Sequence, residues 1–422
     1  MTSAYACRVC GASDVAAVLD LGQMPIAHRL LAAPGDAEET FAFELSVCRR
    51  CGLMQIVDPI DADLLYRGFN YNFSSWKPEP HRADEIAWIM TQAAPQSVAE
   101  IGANDGLFLS ELVAAGVGTV AGIEPNPVSG AIARERGLPI YESLATVELA
   151  RRIVAEHGAF DAVVSRQVLE HVPGTAEYFA VARELLRPDG YLFIDVPDMQ
   201  PAAELGDCSV LWEEHATYYT ESTLAALLRA NGFEPLTVKR YDFSGGALAM
   251  LSRRVPVFAS KPLTDAANVA RTEQFAQRVR AYSARLIGAL ARARESGIAT
   301  VIYGAGVRAC TLSNALRLPD LAWAIDDQAE RQGKFLPGTH IEIRPSSSLA
   351  QAGRPLIVLL AVNNENEAKV RDHIARQDLR YPAEVVSVCG PRDIWRELER
   401  LEAAVSAATS SSASPSGRSV FS

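Results

Sequence analysis

Four cysteines and one glycine-punctuated bend are the residues best equipped for chemistry. Cys7-Arg8-Val9-Cys10 and Cys48-Arg49-Arg50-Cys51 are two CxxC pairs, each followed by a glycine, Gly11 and Gly52. Such a turn aims two thiolates at one ion, and four thiolates close a tetrahedral site with no open position. A structural zinc ion is therefore expected at Cys7, Cys10, Cys48 and Cys51. The stretch between the pairs, residues 11 to 47, exceeds the usual ribbon spacing. Cys208, Cys310 and Cys389 have no histidine beside them and read as small core residues.

The bend is Gly102-Ala103-Asn104-Asp105-Gly106, between the apolar run Ser97–Ile101 and a helical run from Leu107 to Ala115. Glycines there let backbone approach a ligand and present helix N-terminal N–H groups to it. Glu124 ends the next apolar run, Val120-Ala121-Gly122-Ile123, where a carboxylate can accept hydrogen bonds from both hydroxyls of a ribose. An NAD site shares this layout but needs a second glycine at Asn104, and Asp105 brings negative charge where a pyrophosphate would lie. The bend thus suits the methionine end of S-adenosylmethionine. Phe160–Ser165, Val168-Leu169-Glu170-His171-Val172 and Leu185-Leu186-Arg187-Pro188-Asp189-Gly190 resemble the fourth strand and following turn of class I methyltransferases. On that reading Glu100, Gly102, Asn104, Asp105, Gly106, Glu124 and Gln167 bind the cofactor.

The elements that must position these groups follow from periodicity. Residues 1–80 read as a short, loop-rich zinc-binding domain. Residues 81–255 alternate strands (Ser97–Gly102, Thr119–Glu124, Ala159–Ser165, Gly190–Val196) with amphipathic helices, the pattern of a Rossmann-like parallel sheet. Residues 256–296 form a helical linker, with Phe275, Val279, Tyr282, Leu286 and Leu290 at three- and four-residue spacing. Residues 297–402 repeat the alternation (Ile298–Tyr303, Leu321–Asp326, Leu356–Val362, Glu384–Cys389) as a smaller Rossmann-like domain. Residues 403–422, rich in Ser and Ala, are expected to be a disordered tail. The fold class is α/β.

In the order of its parts the chain to about residue 400 resembles the three-domain, zinc-containing C-methyltransferases that act on nucleotide-linked keto-deoxysugars in antibiotic and surface-glycan pathways. The resemblance rests on the four cysteines, Gly102 to Gly106, Glu214-His215, Gly245-Gly246, Tyr303-Gly304-Ala305, and Gln332-Gly333-Lys334-Phe335-Leu336-Pro337-Gly338-Thr339-His340. It implies that His215 is the base, oriented by Glu214, with His171 a second candidate. It also implies that Tyr71, Ser74, Ser75, Gly245, Gly246, Tyr303, Arg308 and Asn363 line the acceptor site, Tyr71 serving the enolate oxygen. Carbon next to a ketone becomes nucleophilic only when a base removes its proton, and an imidazole titrates in the right range. The family's His-Glu-His is Glu213-Glu214-His215 here, and its His and Arg around the glycine pair are Ser244 and Ala249. Those departures keep O- or N-methylation of another small molecule, and a donor-binding assembly subunit, as alternatives. His28, His81, His157 and His373 read as surface or local hydrogen-bonding residues, and His340 as a holder of its own loop.

With 422 residues, 49% hydrophobic and a net charge of −11, the chain is long enough for two or three cores and lacks a basic surface for nucleic acid. Its start has no secretory pattern, and no apolar run approaches the roughly 20 residues that span a bilayer. A cytoplasmic protein is expected, monomeric or a small homo-oligomer, with a small-molecule substrate, a nucleotide-diphosphate sugar on the resemblance.

Overall fold

The computed structural model describes residues 5–61, 64–65, 79–256 and 264–412. The chain divides into two compact units: residues 1–16, 46–198 and 214–269 form the first, and residues 17–45, 199–213 and 270–422 the second.

The first unit is built on seven strands, β1 (Ser97–Ile101), β2 (Thr119–Ile123), β3 (Ile140–Tyr141), β4 (Phe160–Arg166), β5 (Leu186–Pro197), β6 (Phe233–Tyr241) and β7 (Ala247–Arg254). Their spatial order is β6-β7-β5-β4-β1-β2-β3, and β7 runs antiparallel to both of its neighbours. Central strands are apolar on both faces, with Val163, Val164, Phe193 and Ile194 fully buried, as a sheet covered on both sides requires. The helices that cover it start where the sequence supplies caps. Asn126 accepts from the N–H groups of Val128 and Ser129 ahead of Pro127–Glu135, and Thr146 caps Val147–His157. Strand order reverses between β1 and β4, which opens a crevice at their C-terminal ends.

In the second unit β8 (Ala299–Tyr303), β9 (Leu321–Ile325), β10 (Ile343–Arg344), β11 (Leu356–Leu360) and β12 (Ala383–Ser387) form an all-parallel sheet in the order β10-β9-β8-β11-β12. The eight strands expected from the apolar runs stand within one or two residues of their expected places, except at the early start of β5, whereas β3, β6, β7 and β10 were not among them.

Three expectations need correction. Residues 15–48 are not merely loops: Val15–Pro25 and Thr40–Cys48 are strands, and Phe43, Leu45 and Val47 alternate into a core. Residues 17–45 also group with the second unit rather than with one N-terminal domain. The last helix, Ile394–Ser412, runs past residue 403 into the segment expected to be unstructured, because Leu398, Leu401 and Val405 extend one buried stripe. Among the described residues no helix is long and apolar enough to cross a membrane.

Candidate active site and zinc centre

All four cysteine sulfurs of the CxxC pairs lie within 4.8 Å of one another, with Cys7 to Cys51 at 3.6 Å and Cys10 to Cys48 at 3.5 Å. A tetrahedron of ~2.3 Å zinc–sulfur bonds has edges of about 3.8 Å, so the residues fit the ion. Each knuckle closes the same way: Gly11 N–H donates to the Cys7 carbonyl and Gly52 N–H to that of Cys48, both at 2.8 Å and both glycines at positive φ. A Cβ on Gly52 would lie 2.5 Å from Asn268 Nδ2, which itself donates to the Cys51 carbonyl.

The chain leaving Cys51 reaches straight to the candidate base. Met54–Ile56 pairs antiparallel with Thr217–Tyr218, Ile56 N–H donates to Ala216, and Arg8 of the first knuckle donates to Gln55 Oε1 at 3.2 Å and to the Ala216 carbonyl at 3.4 Å. The zinc lobe thereby holds the segment that carries His215.

At the crevice, the bend after β1 has the shape its glycines allow. Gly102 and Gly106 take φ of +79° and +75°, and Asn104 takes +48°. A Cβ on Gly102 would lie 2.4 Å from Val168 Cγ2, so the turn after β4 packs directly on the bend. Glu124 is 8% exposed, its two oxygens accepting from Asn104 N–H at 2.8 Å and Asn126 N–H at 2.7 Å. Each oxygen keeps lone pairs for a ribose hydroxyl, so bend and carboxylate fit the adenosyl cofactor. Burial raises the pKa of this carboxyl, against the pull of its two N–H donors.

Other expected cofactor residues brace the bend. Asp105 pairs with Arg136 at 3.0 Å and accepts from Leu107 N–H, which fixes the helix start. Glu100 is buried within β1, and desolvation pushes its pKa well up. Gln167, at φ +53°, ties its amide to Asp195 Oδ2 at 3.1 Å.

His171 and His215 come together beside this bend. Their rings meet edge to face with centroids 4.8 Å apart, and Tyr218 lies 5.9 Å from His215. His171 Nδ1 sits 3.1 Å from the Glu214 carbonyl, which can only accept. Nδ1 therefore carries the proton and Nε2 keeps its lone pair. Desolvation lowers the His171 pKa, favouring the neutral, basic form. Gly245 and Gly246 both have positive φ, and Gly246 accepts from Asp198 N–H. Tyr71, Ser74 and Ser75 lie outside the described residues.

In the second unit Arg308 is 4% exposed, its guanidinium donating to Asn363 Oδ1 at 2.9 Å and Ser209 Oγ at 2.7 Å, with Asp207 at 3.8 Å. It is an internal clamp, and Asn363, expected beside it in the acceptor site, is its partner. Tyr303 donates to Asp327. His340 does hold its loop, with Nδ1 2.7 Å from the Pro34 carbonyl and Nε2 2.8 Å from Glu38.

Sequence reading missed a buried ionic group. His81, expected at the surface or in local hydrogen bonding, is 5% exposed between the rings of Tyr241 and Phe243, with Nε2 3.9 Å from Glu85 and 4.0 Å from Asp195. Arg166 donates to Glu85 at 2.8 Å and lies 4.4 Å over Phe108. The available signal was a charge following an apolar run within each of two strands, Arg166 at the end of β4 and Asp195 two residues before the end of β5.

A reversed parallel sheet, a glycine bend and an acidic second-strand tip beside two imidazoles define an S-adenosylmethionine-dependent methyltransferase. Comparison with known proteins agrees and narrows the class. Residues 7–66 match a family described as a zinc binding domain, residues 72–238 a methyltransferase domain, and residues 259–380 a C-methyltransferase C-terminal domain. The C-methyltransferase NovU of Streptomyces niveus is 27% identical over 381 residues, which is 85% of this chain and 89% of that protein. The ubiquinone biosynthesis O-methyltransferase of Ralstonia nicotianae is 29% identical over 204 residues, 43% of this chain and 82% of that protein. A solved 1,6-didemethyltoxoflavin-N1-methyltransferase of Burkholderia thailandensis is 20% identical, covering 50% of this chain and 96% of its own, with a TM-score of 0.35. The chain belongs to the three-domain C-methyltransferase family, with S-adenosylmethionine and zinc as its cofactors.

Proposed function

We propose that the enzyme methylates carbon next to the ketone of a nucleotide-linked keto-deoxysugar, with His215 taking the α-proton. The observation that carries this reading is the His171–His215 pair, of which His171 sits on the turn whose Val168 fills the space beside Gly102. The cofactor supplies an electrophilic methyl on sulfur. The protein's part is to hold the acceptor, receive one proton on imidazole nitrogen and exclude water, all of which a buried His215, 3% exposed, supports. Glu214 is assigned to the acceptor's hydroxyls or to His215, and Tyr71 to the enolate oxygen. NovU, by its name a C-methyltransferase, favours carbon as the methylated atom.

Ser244 and Ala249, where the family carries His and Arg, favour a second reading: O- or N-transfer to another small acceptor. Two measurements separate the readings. A C-methyl product made from acceptor deuterated at the α-position loses one deuteron, whereas an O- or N-methyl product keeps it. His215→Asn should lower kcat by about 100-fold or more, the usual worth of a general base, with the cofactor Kd unchanged. Full turnover by that variant would end the first reading.

A further inference from the structure

Behind the imidazole pair lies a carboxylate that the proposed reaction does not use. Glu170 is 1% exposed, in the short turn Leu169–His171, and one of its oxygens, His171 and His215 offer atoms that all lie within 4.8 Å of one another. Its own carbonyl accepts from Ala216 N–H at 2.8 Å, tying this turn to the strand that follows His215. Two phenols share the same interior: Tyr178, 4% exposed, and Tyr219, 1% exposed, both within electrostatic reach of Glu170. The Tyr178 hydroxyl lies by Ser165 and that of Tyr219 by Thr217, both partners being buried, so the carboxylate lies among polar groups at depth. Burial pushes both phenols up, so they stay protonated and act as donors.

We propose that Glu170 is a positioning residue for the methyl transfer: with one oxygen 3.9 Å from His171 Nε2 it sets the basicity and orientation of the His171–His215 pair. A negative charge at this separation favours the protonated imidazole, so Glu170 raises the proton affinity of whichever ring receives the α-proton. On His171 it adds to Glu214, whose charge and carbonyl act in the same sense, against the larger desolvation that lowers that ring. The proton moves from acceptor carbon to imidazole nitrogen, and the imidazolium so formed is stabilised by the carboxylate without a second transfer.

This inference rests on the reading of His215 as base, and its test separates the two. Imidazole pKa values of the zinc-loaded full chain are followed by NMR with ring-labelled histidine, the two signals being assigned through His171→Asn and His215→Asn. In Glu170→Gln at least one of the two pKa values should fall by about one unit or more, with the melting temperature of the zinc-bound protein little changed. The rising limb of kcat/KM against pH should move down with it. Glu170→Asp keeps the charge one methylene farther away; its shift should have the same sense and be smaller, and it serves alone should the Gln variant not fold. Unmoved imidazole pKa values in the folded variants would overturn the inference. A fall in the His215 pKa with an unmoved rate profile would uphold the action of Glu170 on the imidazoles and overturn His215 as base instead, whereas a fall confined to His171 with an unmoved profile would overturn the inference.

Discussion

The two parallel sheets solve the same local problem and use the result differently. After β1 the chain turns at Gly102 and meets Glu124 at the tip of β2; after β8 it turns at Gly304, φ +100°, and meets Asp326 at the tip of β9. Each acid accepts an N–H from the bend, from Asn104 in one and Ala305 in the other. The difference lies in what else the acid touches. Asp326 also accepts from Gln328 N–H and pairs with Arg331 at 3.1 Å, and the same guanidinium donates to the Ala305 carbonyl. Its carboxylate is spent on the fold. Glu124 makes no ion pair among the described residues, so only the first bend has an acid left for a ribose. An identical βα motif is thus a cofactor cradle or a strut according to whether a basic residue stands next to the acid.

Zinc sharpens that contrast most, because all four ligands belong to the first unit. Closed thiolate sites contribute folding free energy directly, on the order of 10 kcal/mol. Cys7→Ser, or chelation of the wild-type protein, should therefore unfold the zinc lobe, free the Met54–Ile56 strand from Thr217–Tyr218 and abolish methyl transfer. Hydrogen exchange read by mass spectrometry should show loss of protection there and retained protection in β8, β11 and β12. A metal-free protein with full protection would show that the four sulfurs carry no folding role.

The acids themselves come next. Glu124→Ala removes two charged acceptors, each worth about 1.5–3 kcal/mol, so calorimetry should find the cofactor Kd weakened by a hundredfold or more. Asp326→Ala should leave that Kd within about twofold, since sites with no shared partner act independently, while leaving the half-buried Arg331 guanidinium without its carboxylate partner. It should lower the melting temperature of the second unit by several degrees. Equal losses of cofactor affinity in both variants would break the distinction drawn between the bends.

Much of this was legible before the structure. Apolar runs ending in glycine or acid located both sheets, because a strand buried on two faces must be apolar throughout and its ligand-side turn must be small. What stayed hidden depends on partners distant in sequence. Nothing near Arg308 reveals that Asp207 and Ser209 enclose it, and nothing near Asp326 distinguishes it from Glu124 until Arg331 is seen to fold back. His81 read as a surface or local hydrogen-bonding residue because Glu79, Arg82 and Asp84 around it are charged, yet Tyr241 and Phe243 close over it from β6 and the turn beyond. The alternation in Thr40–Cys48 was readable, and was obscured by attention to the cysteines at its end.

The smallest expected effect concerns pH and again divides the two units. His340, at φ +55°, has both ring nitrogens engaged, one by the Pro34 carbonyl and one by Glu38, an arrangement that requires two N–H groups and hence the imidazolium. Glu38 foremost, then the carbonyl, raise its pKa above the ordinary value. A raised folded pKa means the native state binds more protons than the unfolded chain between the two values. The loop's contribution is complete below the unfolded value of about 6.5 and is lost as pH climbs through the folded one. Because a third of the side chain is exposed to solvent, 34%, the effect should be small, about one or two degrees in melting temperature. His340→Gln should remove this part of the pH dependence in the second unit between pH 6 and 8, and leave the cofactor affinity of the first unit untouched. A variant whose melting profile follows the wild type across that range would mean that the loop is held by Gly338 N–H and Glu38 without help from the imidazolium charge.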